Sequence, residues 1–97
     1  MCGRYATTRT AADLSKLFEA LDDTDGELAP DYNLAPTDPA PIVRISASQS
    51  ARVLSVARFG LVPVWADDPR VGAKMINARV ETVMTSRAYA TPFAQRR

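Results

Sequence analysis

Cys2 and the residues next to it carry the clearest chemistry in the chain. Cys2 follows Met1 directly and is the single cysteine. A methionine before a small residue is usually trimmed, which would leave Cys2 with a free α-amine. That amine and the thiol titrate near ~7.7–8.0 and ~8.5, so both react at neutral pH. Such a 1,2-aminothiol can form an imine with a carbonyl and close a thiazolidine ring. The alternative, an ordinary small apolar residue near a strand start, is less favoured at this position.

A second group of polar residues alternates along residues 75–82, which we predict to be a strand. Asn77, Arg79 and Glu81 would then share one face, because alternate side chains of a strand point the same way. An amide, a cation and a carboxylate in a row are poor core material unless each is paired. Spacing leaves two interpretations equal: a solvent-facing edge with an Arg79–Glu81 pair, or the floor of a site that holds an anion.

Three further residues are candidates for binding an anion or a base. Arg4 would share the strand face of Cys2 and could hold a phosphate beside the thiol. Trp65 is either a core anchor or a platform that stacks a base. Arg87 follows Thr85 and Ser86 and is a candidate phosphate contact at a helix start. A surface charge is the alternative for each arginine.

Composition limits the chemistry and the partners. The 97 residues are enough for one small domain, with 46% hydrophobic and 24% charged residues and a net charge of +1. There is no histidine and one cysteine, so neither a Cys–His pair nor a cysteine-rich metal site can form. No cofactor or metal is expected. No apolar run approaches about 18–20 residues, which predicts a cytoplasmic, reducing location and no membrane partner.

Local patterns predict the elements that position these residues. Thr10 with Asp13 resembles a helix cap before an amphipathic helix over residues 11–22 with its apolar face on the core. Four prolines predict an extended, irregular segment over residues 30–41. Strands over 42–45 and 53–62, separated by a polar turn at 46–50, predict a hairpin, with Gly60 as a bulge or close-approach point. Residues 63–72 form a loop, and Thr82 or Thr85 caps a final helix.

These residues together resemble one family, the SOS response-associated peptidase or abasic-site processing (SRAP) proteins. The resemblance covers nearly the whole chain, and the ordered set of motifs is much more specific than any one of them. The motifs are Cys2-Gly3-Arg4-Tyr5, Tyr32-Asn33-Leu34-Ala35-Pro36-Thr37, Phe59-Gly60-Leu61-Val62-Pro63-Val64-Trp65, Ile76-Asn77-Ala78-Arg79-Val80-Glu81-Thr82 and Thr85-Ser86-Arg87.

The resemblance implies a response to DNA damage. Family members bind abasic sites in single-stranded DNA, and the mature N-terminal cysteine forms a thiazolidine crosslink with the sugar aldehyde. Self-removal of Met1 is part of the reason why the family is called a peptidase. It implies these roles: Cys2 as nucleophile, Asn77 beside the linked sugar, Arg4 and Arg79 on phosphates, Asn33 and Pro36 in the loop near the active site, and Trp65 and Arg87 on the DNA-binding surface.

The sequence departs from the family in that nothing in it matches the catalytic glutamate and histidine motifs. Glu81 belongs to a different motif. We therefore expect residues 1–97 to be the N-terminal part of one SRAP-like domain, a part that is inactive alone or needs the remainder to complete its core. The expected fold is α+β: a curved, partly barrel-like, mostly antiparallel sheet with peripheral helices. The expected location is that of a bacterial cytoplasmic protein, associated with the nucleoid when bound to DNA.

Two other functions remain open. An N-terminal-nucleophile amidohydrolase of the glutaminase type also begins Met-Cys-Gly and uses the same amine and thiol. Its next strand is typically apolar, whereas Arg4 and Tyr5 follow here. The third function is a non-covalent single-stranded DNA-binding module in which Cys2 is incidental.

Overall fold

The computed structural model describes residues 3–96 and has an α+β fold of two small sheets and two short α-helices. Cys2 lies outside the described residues. The elements, in chain order, are β1 (Tyr5–Thr7), α1 (Ala11–Phe18), β2 (Leu21–Asp22), β3 (Asp31–Leu34), β4 (Pro39–Ser46), β5 (Ala51–Arg58), a 3₁₀-helix (Pro69–Lys74) and α2 (Ala90–Gln95). Within residues 3–96 no helix is long and apolar enough to cross a membrane.

The two sheets are open and differ in strand direction. β1 pairs antiparallel with β3, with Tyr5 opposite Leu34. The second sheet has the order β2-β5-β4, in which β4 and β5 are antiparallel and β2 is parallel to β5. Two of the three strand pairings are antiparallel, as predicted, and the short parallel pair of β2 with β5 makes the second sheet mixed. Across residues 3–96 neither sheet closes on itself.

The predicted hairpin is confirmed and holds the small core. β4 and β5 pair without a break from Pro39 opposite Arg58 to Ser46 opposite Ala51. Val53 and Leu54 on β5 are each 1% exposed. Both strands are longer at the turn than predicted, and β5 ends at Arg58 instead of continuing to residue 62. It ends there because the chain turns at Gly60, whose φ is +126°.

The first helix has the predicted start but an earlier end. The Thr10 hydroxyl accepts a hydrogen bond from the Asp13 amide at 3.1 Å, which is the predicted cap. The helix stops at Phe18, whose carbonyl accepts from Arg52, and Glu19 is left-handed with φ +51°. This turn frees Leu21 to pair with Val53, so the predicted helix over 11–22 was too long. No residue of α1 is fully buried.

Residues 75–82 do not form the predicted strand. Residues 75–79 are irregular and 80–85 are turns, in which the Val83 amide donates to the Arg79 carbonyl at 2.9 Å. Because these turns replace extended backbone, the alternation that would place Asn77, Arg79 and Glu81 on one face does not exist. Neither predicted threonine caps α2; its N-cap is Tyr89, which makes no capping side-chain bond.

The core is small for a chain of this length. Among residues 3–96, five apolar residues are buried: Leu34, Ala40, Val53, Leu54 and Ala88. Over the same range, thirteen large apolar side chains are exposed: Tyr5, Leu17, Phe18, Leu21, Tyr32, Ile42, Val43, Ile45, Val62, Val64, Trp65, Val80 and Met84. Much apolar surface therefore remains in contact with solvent.

Candidate functional site

The start of the described chain lies beside residues 75–79, which we call the Asn77 segment. A Cβ atom placed on Gly3 would be 3.9 Å from Cδ1 of Ile76, the residue before Asn77. Tyr5, two residues further, packs its ring edge-on against Phe59, with centroids 5.4 Å apart. The N-terminal segment is therefore positioned by β1 pairing and by contacts with residues 59 and 76.

An open hollow of about 370 Å³ lies at this junction, which we call the Asn77 hollow. Its walls are mostly apolar, and Asn77 contributes an amide group. The lining residues are Phe59, Gly60, Leu61, Met75, Ile76, Asn77, Ala78, Val83, Tyr89, Pro92 and Phe93. Three separate parts of the chain meet there: the end of the hairpin, residues 75–78 and the C-terminal helix.

Residues 61–75 form a loop between the end of the hairpin and Asn77, and a close approach of two backbone stretches, the Gly60–Gly72 crossing, holds its ends together. A Cβ on Gly60 would collide with the carbonyl oxygen of Gly72, so only glycine fits. One residue further, the Leu61 amide donates to the Met75 carbonyl at 2.9 Å. The predicted close approach at Gly60 is confirmed. Residues 61–75 consequently form a closed loop that carries Trp65 and ends two residues before Asn77.

A second, smaller hollow of about 130 Å³ contains Trp65 and Arg87, and we call it the Trp65 hollow. The guanidinium carbon of Arg87 is 4.7 Å from the centroid of the Trp65 ring, a cation–π contact. Arg96 also lines this hollow, and Pro92 lines both hollows. Trp65 is 44% exposed, so it is not a core anchor. An exposed indole with two nearby cations suits stacking of a base and contact with phosphate.

The Trp65 loop also carries its own ion pair. The Arg70 guanidinium contacts the Asp68 carboxylate at 2.7 Å, and that carboxylate also accepts from the Arg70 amide. These hydrogen bonds from Arg70 lower the pKa of Asp68, and the charge of Arg58 adds to the effect. Asp68 therefore remains charged at neutral pH, and its charge offsets that of Arg70.

The turn that contains Pro36 is fixed against the wall of the Asn77 hollow. The Asp38 carboxylate accepts from the Ala35 amide at 2.9 Å and closes the turn. Thr37 donates to the Phe59 carbonyl and Phe59 donates to the Asp38 carbonyl, each at 2.9 Å. Asn33 is exposed on β3, before this turn. Phe59 thus links the turn with the hollow it lines.

Arg4 and Arg79 are exposed at the edges of this region. Arg4 directly precedes β1, and Arg79 directly precedes the 80–85 turns. The described ion pairs of residues 3–96 are Arg44–Asp23, Arg52–Glu19 and Arg70–Asp68. None of these joins Arg79 to Glu81, so the first of the two interpretations, an edge with an Arg79–Glu81 pair, is not observed. Both arginines can approach a polyanion from solvent.

The structure thus groups the predicted residues in two places. Asn77 lies in the first hollow, with Gly3 and the Pro36 turn close to its walls, whereas Trp65 and Arg87 meet in the second. One residue at the site was missed: Tyr89, whose hydroxyl donates to the Asn77 carbonyl at 2.9 Å. No local pattern marks it. Within the described part of the chain, no group of three acidic, cysteine or histidine side chains could hold a metal ion.

Comparison with known sequences decides the family. The sequence model of the SOS response associated peptidase (SRAP) family matches residues 1–97. The chain belongs to the SRAP family. The residue groups described above therefore lie on an SRAP scaffold, and the family that the ordered motifs suggested is confirmed.

Curated relatives of this SRAP chain carry the name abasic site processing protein. YoaM of Bacillus subtilis (strain 168) is 37% identical over 99 residues, covering 100% of this chain and 42% of the relative. HMCES of Gallus gallus is 32% identical and covers 95% of this chain and 33% of the relative. YedK of Escherichia coli (strain K12) is 32% identical, with coverage of 92% and 39%. The chain spans less than half the length of these relatives.

Proposed function

We propose that this SRAP chain recognises abasic sites in single-stranded DNA and becomes covalently linked to them through Cys2. The observation that carries the proposal is the position of Gly3 against Ile76, beside the Asn77 hollow. It gives the residue after Cys2 a fixed place next to the predicted partner of the sugar. Family membership and the names of the relatives support the substrate class.

The proposed chemistry needs the free amine and thiol of Cys2 after hydrolysis of the Met1–Cys2 peptide bond. The amine attacks the C1′ aldehyde of the ring-opened sugar, and loss of one water gives an imine. The sulfur then adds to the same carbon while the thiol proton moves to nitrogen, which closes the thiazolidine. No electrons are exchanged with another reagent. In this proposal Asn77 hydrogen-bonds the sugar and holds it against the nucleophile.

Exposed arginines and Trp65 supply the proposed DNA contacts. Arg4 and Arg79 bind phosphates next to the lesion, and Arg87 holds the Trp65 ring as a surface on which a base stacks. Asn33 and Pro36 border the lesion from the fixed turn beside Phe59. Phosphate contacts make the affinity depend on salt, with each contact adding roughly 0.7 to the slope for single strands.

The proposal includes a larger domain around this chain. The thirteen exposed apolar side chains would be covered by a further part of an SRAP domain, which would also complete a partly barrel-like sheet. The missing acid and base for Met1 removal would come from that part, because this chain has no histidine. We place the protein in the bacterial cytoplasm, on the nucleoid when linked to DNA.

The test is a denaturing gel of the protein with a single-stranded oligonucleotide that carries one abasic site. We expect a slower band whose mass is the sum of the two components minus one water, after intact mass has established that Met1 is absent. The matched substrate is a tetrahydrofuran abasic analogue, which has no aldehyde and should give no band. Cys2→Ala should abolish the band with the natural site.

Other outcomes identify the alternative functions. Equal, non-covalent binding of the natural site and the analogue, unchanged in Cys2→Ala, would replace the proposal with a single-stranded DNA-binding module. Release of ammonia from glutamine, lost in Cys2→Ala, would instead identify an amidohydrolase. Fluorescence of a dye that binds apolar surface, high for residues 1–97 alone, is the expected sign of an incomplete core.

A further inference from the structure

Tyr89 connects the C-terminal segment to the backbone of the candidate site. Its hydroxyl donates to the main-chain carbonyl oxygen of Asn77 at 2.9 Å. The two residues are 12 positions apart, and both line the Asn77 hollow. Tyr89 is itself half-buried and anchored at α2, because the Phe93 amide donates to its carbonyl at 2.8 Å.

The Asn77 segment depends on such contacts because it has no regular structure. Residues 75–79 belong to no helix or strand, so no backbone ladder fixes their dihedral angles. The Met75 carbonyl is held by Leu61 and the Arg79 carbonyl by the Thr82 and Val83 amides. Between these two points, the bond from Tyr89 fixes the peptide group that joins Asn77 to Ala78. The orientation of this peptide group in turn restricts the direction of the Asn77 side chain.

We propose that Tyr89 is a positioning residue that orients Asn77 for the reaction at the abasic sugar. This inference rests on the proposed function and adds a residue to it. Tyr89 does not act on DNA or on the reacting atoms in this proposal. It restricts the Asn77 peptide group, so that the amide side chain meets the sugar in one orientation. Loss of the hydroxyl should therefore slow bond formation and leave DNA affinity unchanged.

Tyr89→Phe removes one oxygen and keeps the ring that lines the hollow. Thr85→Val is the matched control. The Thr85 hydroxyl also donates to a backbone carbonyl, that of Thr82 at 3.3 Å, within the 80–85 turns. With the natural abasic oligonucleotide at saturation, we expect Tyr89→Phe to lower the crosslinking rate constant about twofold to tenfold, the range of one net hydrogen bond. Affinity for the tetrahydrofuran analogue should not change, and Thr85→Val should behave as wild type.

A double mutant distinguishes positioning from a general structural role. In the Asn77→Ala background there is no amide to orient, so adding Tyr89→Phe should cause no further loss of rate. Equal fractional losses in both backgrounds would overturn the inference. So would a parallel loss of affinity for the analogue, because it would indicate a disturbed DNA surface.

A readout without DNA separates this inference from the proposed function. The amide of Ala78 belongs to the same peptide group as the Asn77 carbonyl, so its ¹⁵N–¹H signal should shift in Tyr89→Phe and stay in place in Thr85→Val. An unchanged Ala78 signal in Tyr89→Phe would refute the role of the Tyr89–Asn77 hydrogen bond in fixing this peptide group. If wild type gives no crosslink at all, the proposed function fails, while the Ala78 signal still decides whether Tyr89 orients Asn77.

Discussion

The β4–β5 hairpin and residues 60–96 hold their side chains in place by different means. The hairpin has a continuous ladder from Pro39 to Arg58 and buries Val53 and Leu54. In residues 60–96 the contacts that span long stretches of sequence are isolated ones. They include the Gly60–Gly72 crossing, the Leu61–Met75 bond, the Trp65–Arg87 contact and the Tyr89–Asn77 bond.

This difference separates stability from site geometry. Loss of one rung leaves a ladder with its neighbouring bonds, whereas loss of an isolated contact frees the whole stretch it restrained. Substitutions in the hairpin core should therefore change the free energy of unfolding of the whole domain. Substitutions at the isolated contacts should mainly change the position of the site residues. The predictions below, in order of decreasing effect, examine this distinction.

Leu54→Ala should give the largest loss of stability. Leu54 is 1% exposed, and removal of a buried leucine side chain typically costs about 2–5 kcal/mol. Ile45→Ala is the matched control on the partner strand, because Ile45 is 69% exposed, and it should cost below about 1 kcal/mol. Urea unfolding followed by circular dichroism measures both. Equal losses would mean that the hairpin does not carry the core.

Gly60→Ala should give the next largest loss of stability, and the change should act at the Gly60–Gly72 crossing. The new methyl group would collide with the Gly72 carbonyl. In addition, the φ of +126° is unfavourable for alanine, and this backbone strain alone costs on the order of 1–3 kcal/mol. Gly26→Ala is the control, since Gly26 has φ +74° but no atom within 4 Å of the added carbon. It should cost about 1–2 kcal/mol.

The NMR spectrum reports where the Gly60→Ala change acts. We expect shifted amide signals at Trp65 and at residues 75–78, with the β4–β5 signals unchanged. For Gly26→Ala, residues 60–78 should keep their signals. A Gly60→Ala spectrum altered equally throughout the sheet would contradict the separation of the two regions.

Arg87→Lys should have a smaller effect, because it keeps the charge and removes the planar guanidinium. We expect a loss of about 0.5–1 kcal/mol from the Trp65 contact and a red shift in tryptophan emission as the ring becomes more hydrated. Trp65 is the single tryptophan, so the emission reports the surroundings of this ring alone. Arg96→Lys, in the same hollow, is the control. Equal shifts in both variants would remove the special role of Arg87.

The smallest effects concern two carboxylates: Asp22 on β2, the strand that pairs with β5 of the hairpin, and Asp68 within residues 60–96. A hydrogen bond from the Thr24 hydroxyl lowers the pKa of Asp22, whereas hydrogen bonds from Arg70 lower the pKa of Asp68. Because the folded pKa is depressed, each bond contributes stability above the ordinary carboxyl pKa, and the contribution is lost as the pH falls through the folded pKa. Thr24→Val should raise the pKa of Asp22, and Arg70→Gln should raise that of Asp68.

Carboxyl NMR titration at two salt concentrations compares these carboxylates. Added salt should raise the pKa of Asp68, whose partner is charged, and leave that of Asp22 nearly unchanged, because its partner is neutral. A pKa of Asp22 that rises with salt as much as that of Asp68 would refute the assigned causes.

The sequence predicted the features that depend on residues close together in the chain. The Thr10 cap, the polar turn (predicted at 46–50 and found at 47–50) and the hairpin arise from residues near one another in the chain, and the positive φ of Gly60 fits its missing side chain. The helix was extended too far because its periodic apolar residues continue past Phe18. The end is set by Glu19 in a left-handed conformation and by Arg52, more than 30 residues away.

The candidate site was predicted by residue and not by geometry. Asn77, Trp65 and Arg87 were identified from residue type and spacing and then from the family motifs, yet a strand was predicted for residues 75–82. That segment instead follows the Gly60–Gly72 crossing and meets Tyr89, which are contacts between distant positions. No periodicity in the sequence encodes them, so Tyr89 could not be found from the sequence.

The two prolines of β4 affect how its sheet can grow. In residues 3–96, β4 is an outer strand of the β2-β5-β4 sheet, and it begins with Pro39 and Pro41. Neither residue has an amide proton, so neither can donate to a further strand. A polypeptide added at this edge would receive no hydrogen bond from either proline, whereas the second half of β4 contains no proline and carries the exposed Ile45. The start of β4 thus resists edge-to-edge association, and its second half is where aggregation of the isolated chain would begin.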